Sequence, residues 1–240
     1  MRGLPRTPEL MRLLLAAPWT RAPPPRACDF AAVNWDQYHA SNDREWLLPY
    51  EGPLSAHLRS KALHALPRDA PLLELGCGTS DLAARLFDDG WRNVTAIDLS
   101  PNAVRLAQQR HGTSRPGLRF AVGDARELRA IPDASIACVI DKGTLDAICV
   151  GDGFDYEARR VAAEAVRVLA PGGRLMCLSL MPPSVLLPLL QRHEWSMIKS
   201  EPVGGLHLYY AMRSRKGAMM TQWHWHPIEG GWLTRIKCAV

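Results

Sequence analysis

The sequence predicts an α/β fold: a seven-stranded, mostly parallel sheet with helices on both faces and an antiparallel last strand. Two observations carry this. From Ala70 onward, short apolar runs alternate with amphipathic stretches, the pattern of parallel strands joined by crossover helices. Successive apolar runs also finish in an acid (Asp98, Asp124, Asp141) beside a glycine-rich turn, as at the carboxyl edge of an open sheet.

The elements follow in order. Strands are predicted at PLLEL, VTAID, LRFAV, IACVID, RLMCLSL, near WSMIKSE, and at LHLYYAM. Helices fit between them at Asp81 to Asp88, Asn102 to His111, Tyr156 to Leu169 and Ser184 to His193. Pro171-Gly172-Gly173 is the stop signal for the long third helix. No helical segment separates the last two strands, so they are expected to pair antiparallel.

Length and composition leave room for one ordinary domain: 240 residues, 47% of them apolar. The expected organisation is an Arg/Pro-rich extension over 1–28, an aromatic-rich lid segment over 29–69, the α/β domain over 70–217 and a C-terminal extension over 218–240. Six cysteines show no CxxC pairing and mostly lie in apolar runs, which speaks for reduced thiols and against a zinc site. His224 and His226 lack a third ligand, and no metal site is predicted.

Of the formal charge of +5, five arginines against Glu9 place +4 before residue 28. The folded part is therefore nearly neutral and carries no basic footprint for nucleic acid. The charge-free stretch Leu175 to Leu190 is interrupted by Pro182, Pro183 and Pro188, so no membrane span is expected. The first 28 residues are Arg-rich, poor in acids and broken by prolines, which fits a mitochondrial presequence; the alternative is an extension without an address, on a cytoplasmic protein.

The first strand ends in ELGCGTSD, so Gly76 and Gly78 fall at the strand-to-helix turn, where a ligand can approach the backbone. That invites a nucleotide. A dinucleotide fingerprint wants a third glycine where Asp81 stands, and an acid there would face the pyrophosphate. Glu74 adds negative charge, which suits a ligand cationic at its centre. Asp98 lies 22 residues after Gly76, the spacing at which an acid accepts both hydroxyls of an adenosine ribose. Asp124 and the Ala125 amide in VGDARE could read adenine. Each acid taken alone could equally be a cap or a turn residue.

LLELGCGTSD, TAIDLS, VGDARE, VIDKGTLDA and VLAPGGRL, in this order, resemble a Rossmann-like class I S-adenosylmethionine-dependent methyltransferase, across roughly Trp35 to Gly217. DKGTLDA, with NWDQY upstream and GLHLYYAMRSRKG downstream, resembles the lysine methyltransferases of elongation factor 1-alpha and their relative acting on citrate synthase. GCGTS matches the citrate synthase branch and Leu145 the elongation factor branch.

The resemblance implies S-adenosyl-L-methionine as cofactor, contacts from Trp35, Tyr38, Gly76, Gly78, Asp98, Asp124, Ala125 and Lys142, and a protein substrate. Trp35 and Tyr38 stand one residue closer together than is usual in the family. Asp141 is the expected catalytic carboxylate, orienting the amine, stabilising the incoming cation or helping the proton leave; a structural contact to the cofactor or to the Gly143 turn is its other reading. Two alternatives to a protein-lysine methyltransferase stay open: a small-molecule methyltransferase on the same fold, and a non-catalytic cofactor-binding assembly factor. Oligomeric state is not legible.

Overall fold

The computed structural model describes residues 33–42, 45–112, 114–149, 154–193 and 195–215, together with two strands at 224–228 and 231–235. Residues 1–28, expected to be a presequence, lie outside the described residues, and Cys28 with them.

Four strands run parallel in the order expected of crossover connections. They are β1 (Leu72–Leu75), β2 (Val94–Asp98), β3 (Leu118–Val122) and β4 (Ile136–Lys142), and a fifth parallel strand, β5 (Leu169–Ser179), joins β4. β6 (Trp195–Val203) and β7 (Leu206–Arg213) form a hairpin whose second strand inserts antiparallel between β5 and β6. The sheet order is β3-β2-β1-β4-β5-β7-β6, extended at the β6 edge by the hairpin of β8 (His224–Ile228) and β9 (Gly231–Arg235). All seven predicted strands are present; β8 and β9 were not predicted. Chain order reverses between β1 and β4, the place where open sheets leave a crevice beyond their carboxyl ends.

Helices cover both faces. The chain enters through α1 (Trp35–Ser41), started by Asn34, whose side chain accepts the Gln37 amide at 3.1 Å. α2 (Pro53–His57) opens with Pro at its first turn and continues into a π-helical turn over Leu58–Ala62. α2 and its π-helical turn, with α3 (Leu82–Asp88) and α4 (Pro101–Ala107), pack on one face through Leu54, Leu58, Leu82, Leu86 and Val104, and α1 lies against α4. On the other face lie α5 (Thr144–Ile148), α6 (Phe154–Val168) and α7 (Pro183–Leu190). Ala158, Val161, Ala162 and Ala165 of α6 are buried at i, i+3, i+4 and i+7, one helical stripe against the sheet.

The period-2 alternation of the strands decides which side chains go to which face. In β1, Leu72 joins the α3 face while Leu73 and Leu75 join the α6 face. In β4, Cys138 and Ile140 face α3 and Val139 faces α6. Lys142 therefore continues the first face and Asp141 the second.

Three short helices, α1, α2 and α5, went unpredicted: α1 and α2 precede the first strand and α5 shares its crossover with the longer α6, so none has a crossover of its own, the context that identified the equally short α3 and α4. The Pro-Gly-Gly signal works differently from its expected role. α6 already stops at Val168, and residues 169–173 form an irregular start to β5, whose pairing with β4 jumps from Leu169 to Arg174. Part of the predicted lid segment belongs to the core: Leu47, Leu48, Tyr50, Leu54 and Leu58 are all buried.

No described helix is long and apolar enough to cross a membrane. Cys77, Cys138, Cys149 and Cys177 are free and buried. Among the described residues no cluster of three His, Cys, Asp or Glu side chains could hold a metal ion.

Candidate active site

A cleft of about 630 Å³ opens beyond the carboxyl ends of β1, β2 and β4. Of the predicted site residues, Trp35, Gly76, Gly78, Asp98, Asp124, Ala125 and Lys142 line it. Asp141 and Tyr38 are not among the lining residues.

The turn after β1 is held from two sides. Gly76 has φ +59°, and a Cβ there would collide with Thr144 Oγ1, which donates to the Leu75 carbonyl at 2.7 Å. The next glycine amide, Gly78 N, donates to Asp98 Oδ2 at 2.7 Å, and Ser100 N donates to Asp98 Oδ1 at 2.8 Å. Two backbone amides thus fix the Asp98 carboxylate. Each of its oxygens keeps a lone pair for the cleft. Leu99 beside it is 52% exposed and offers an apolar surface at the rim.

Asp124 is engaged by a cation that sequence reasoning missed. Arg126 donates to its Oδ1 through the backbone amide at 2.8 Å and through Nε at 2.9 Å, and Nη2 reaches Oδ2 at 2.7 Å. Burial would raise this acid, but the Arg126 bonds outweigh it and hold Asp124 below the usual carboxylate range. Arg126 also contacts Glu157 at 3.3 Å, so the two acids and the guanidinium form one group at that end of the cleft.

The upstream segment is fastened over the site twice. Asp36 of α1 accepts from Ser100 Oγ at 2.8 Å and Asn102 N at 2.7 Å, docking α1 on the start of α4. These contacts, backbone amide first, lower its pKa. Glu45 accepts from the Lys142 ammonium, from Ser80 Oγ at 3.2 Å and from Asp81 N at 3.3 Å. Lys142 also donates to the Trp46 carbonyl at 2.7 Å. Lys142 is therefore a tether for residues 45–46 rather than a free charge. Trp35, His39 and Trp46 complete the wall.

Two expectations are corrected here. Tyr38 packs edge-on to Trp35, with ring centroids 5.7 Å apart, and against Trp46 at 6.3 Å, supporting the wall instead of lining the cleft. Asp141 projects to the α6 face, where Oδ2 accepts the Leu145 amide at 3.1 Å and Oδ1 accepts from Cys177 Sγ at 3.6 Å. It caps α5 from beneath. Burial first, and then the neighbouring Asp146, push its pKa up to about 7. Asp81, whose charge spoke against a pyrophosphate, bonds His111 at 3.0 Å.

Glu74 lies under the glycine turn, 1% exposed, and its Oε2 has no hydrogen-bond partner among the described residues. Burial raises its pKa to about 8, against the pull of Lys142. Glu74 lies beneath the turn and is not among the residues lining the cleft. A ribose diol at Asp98, an adenine ring against Leu99 and Ala125, and a cationic centre above the Gly76 turn would satisfy the lining groups together.

Comparison with known proteins agrees. Residues 73–177 match the family model described as a methyltransferase domain. The mouse eEF1A lysine and N-terminal methyltransferase is 39% identical over 112 residues, 45% of this chain and 16% of that protein. The chain spans less than a quarter of the length of the relatives of this kind. Mouse EEF1A lysine methyltransferase 4 matches more fully, at 31% identity over 201 residues, 78% of this chain and 77% of the relative. The chain belongs to the eEF1A lysine methyltransferase family.

S-adenosylmethionine is the cofactor of this methyltransferase domain, and the charges and openings of the cleft fit it. Among solved structures, an S-adenosylmethionine-dependent methyltransferase from Methanosarcina mazei superposes with a TM-score of 0.53 at 19% identity, over 70% of this chain and 100% of that one. The cyclase SpnF superposes at 0.56 and 18% identity, over 68% and 80% of the two chains. At such identities these likenesses establish the fold alone. The SpnF match illustrates that the fold does not fix the reaction.

Proposed function

We propose that this family member transfers a methyl group from S-adenosylmethionine to a lysine side chain of a protein, with eEF1A as the first acceptor to test. The carrying observation is the 31% identity to EEF1A lysine methyltransferase 4 across 77% of that relative. The acid-lined cleft supports the reading, since both the cofactor and a lysine bring positive charge.

When bound, the cofactor supplies a methyl carbon already activated by its sulfonium, so the protein's work is alignment and dehydration of the site. Asp98 would hold the ribose through lone pairs left over from Gly78 and Ser100. Gly76 lets the turn pack against Thr144 at the cleft, where a side chain would not fit. Glu45 and Lys142 close residues 45–46 over one wall, and Asp36 closes α1 over another. The lysine must arrive as, or become, a neutral amine before its lone pair can attack.

The test is incubation with methyl-labelled cofactor and either purified eEF1A or whole-cell extract fractionated by compartment, followed by mass spectrometry of the labelled band. Label on a protein lysine supports the proposal. Label confined to the small-molecule fraction would favour the small-molecule reading, and cofactor binding without transfer to any acceptor would favour the assembly-factor reading. Residues 1–28 are proposed to carry a mitochondrial address on their composition alone.

A further inference from the structure

The turn from β4 into α5 carries two buried acids, and they face different ways. Asp141 is spent on the Leu145 amide beneath the sheet edge. Asp146, one helical turn on, lines the cleft. It is 1% exposed, and its Oδ2 comes within 3.9 Å of the point where a side chain on Gly143 would begin, so the carboxylate sits directly under the β4–α5 turn. Gly143 has φ +89° and packs on Leu47, which keeps this position bare of a side chain.

The carboxylate is held by neutral donors. Ser179 Oγ donates to Oδ1 at 2.6 Å and Leu180 N to Oδ2 at 3.2 Å, and Met181 N in turn fixes the Ser179 hydroxyl at 2.9 Å. The other lining acids have different engagements. Asp124 and Glu157 share Arg126, and Asp98 takes two backbone amides at the β2 end. No described ion pair supplies Asp146 with a cation, although a buried carboxylate is stabilised most by one. It lies behind β4, on the far side of β1 from the ribose-binding acid of β2.

We propose that Asp146 is the seat of the acceptor nitrogen: Oδ2 receives an N–H of the lysine being methylated and points its lone pair along the cleft. This rests on the protein-lysine reading above. The ammonium's proton passes to water, because an aspartate is too weak a base to keep it from an amine. The carboxylate orients the neutral amine. It then faces the positive charge that nitrogen acquires when it gains a fourth substituent, a place where a fixed anion accelerates reaction.

The groups facing Asp146 are Asp141 from β4, Cys177 from β5, Cys149 from its own helix and Tyr209 from β7. Burial raises Asp146 to about 6 against its bonds from Ser179, Leu180 and Met181, whereas Asp141 lies near 7 and the thiols and phenol are pushed above their ordinary ranges. Both acids are raised by burial, and the Asp141→Asn profile tells the break of Asp146 from that of its neighbour. Below about pH 6 both the carboxyl and the amine must lose a proton, and above it the amine alone. The logarithm of kcat/KM should then climb with a slope near 2, breaking to a slope near 1 at about pH 6.

The experiment follows pH–rate profiles of the full chain with purified eEF1A as acceptor, for wild type, Asp146→Asn and Ser179→Ala, with calorimetric affinity for S-adenosylhomocysteine measured alongside. Asp146→Asn should lower kcat roughly ten- to a thousand-fold and erase the break, while S-adenosylhomocysteine affinity changes less than about threefold. Ser179→Ala removes a bond that favours the ionised acid, so its break should move to higher pH. That measurement stands even if the Asn variant does not fold. The proposal is overturned if Asp146→Asn keeps the break and the rate, or if its S-adenosylhomocysteine affinity falls in step with the rate. It is also overturned if the break disappears in Asp141→Asn instead, or stays fixed in Ser179→Ala. A wild type that labels no lysine of eEF1A or of whole-cell extract defeats the underlying function; a wild type that does, with an indifferent Asp146→Asn, defeats this assignment alone.

Discussion

Glu45→Ala should both destabilise the fold and loosen the cleft. In the ion pair with Glu45, the Lys142 side chain is 4% exposed and the Glu45 side chain 31%. Removing one partner of a fully buried pair costs about 3–5 kcal/mol, because the remaining charge stays buried. Here the carboxylate is reached by water and the Trp46 carbonyl still accepts from Lys142 at 2.7 Å. The loss should thus be smaller, about 2 kcal/mol, with the long bonds to Ser80 and Asp81 adding only tenths. Lys142→Met keeps the length and removes the charge that Glu45→Ala would strand, so the double variant should recover about 1–2 kcal/mol relative to the sum of the singles. Urea denaturation of the four proteins measures this coupling. Because residues 46 and 47 line the cleft, S-adenosylmethionine affinity should fall roughly three- to tenfold in Glu45→Ala. Additive single effects within about 0.5 kcal/mol, at unchanged cofactor affinity, would refute the tether.

Three further outcomes are expected. Asp98→Ala removes the charged acceptor of two ribose hydroxyls and should weaken S-adenosylmethionine binding by about 2–4 kcal/mol in calorimetry; an unchanged dissociation constant in a folded variant places the ligand elsewhere. Asp141 has a folded pKa near 7, raised from the ordinary 3.8, so the folded state holds its proton more tightly than the unfolded state does, and stability is lost as pH rises between these values. Asp141→Asn should lack that loss, gaining on wild type by up to about 1.4 kcal/mol per pH unit between pH 5 and 7 in thermal or urea unfolding; a difference independent of pH would show the carboxyl to be unperturbed. Removal of residues 1–28 should leave cofactor affinity intact, and a fluorescent fusion of that segment should reach mitochondria; cytosolic fluorescence ends the address proposal.

The sheet was legible because parallel strands buried on both faces read as plain apolar runs, and the glycine turn and Asp98 were legible because their spacing is set by one βαβ unit. Residues whose role depends on distant partners were not. Nothing local marks Glu45, whose partner Lys142 lies 97 positions away, and Asp36 meets Asn102 across 66. Arg126 sits two residues from Asp124 and could have been suspected as its partner, but its bridge to Glu157 needs α6 in place. Asp141 and Asp146 show the opposite failure. Both stand in one quoted motif, and the strand period already turns Asp141 away from Lys142, but the five-residue helix that turns Asp146 toward the cleft has no signature of its own.

The central claim is that this cleft delivers a methyl group from S-adenosylmethionine to a protein lysine. It is tested most directly by label transfer into whole-cell extract with wild type and Asp98→Ala side by side, at a cofactor concentration below the wild-type dissociation constant and with the labelled residue located by mass spectrometry. Wild type should yield methylated lysine and the variant a roughly thirty- to thousandfold lower rate, the kinetic counterpart of the 2–4 kcal/mol binding loss. Equal labelling by the two proteins, or label found on no protein lysine, would contradict it.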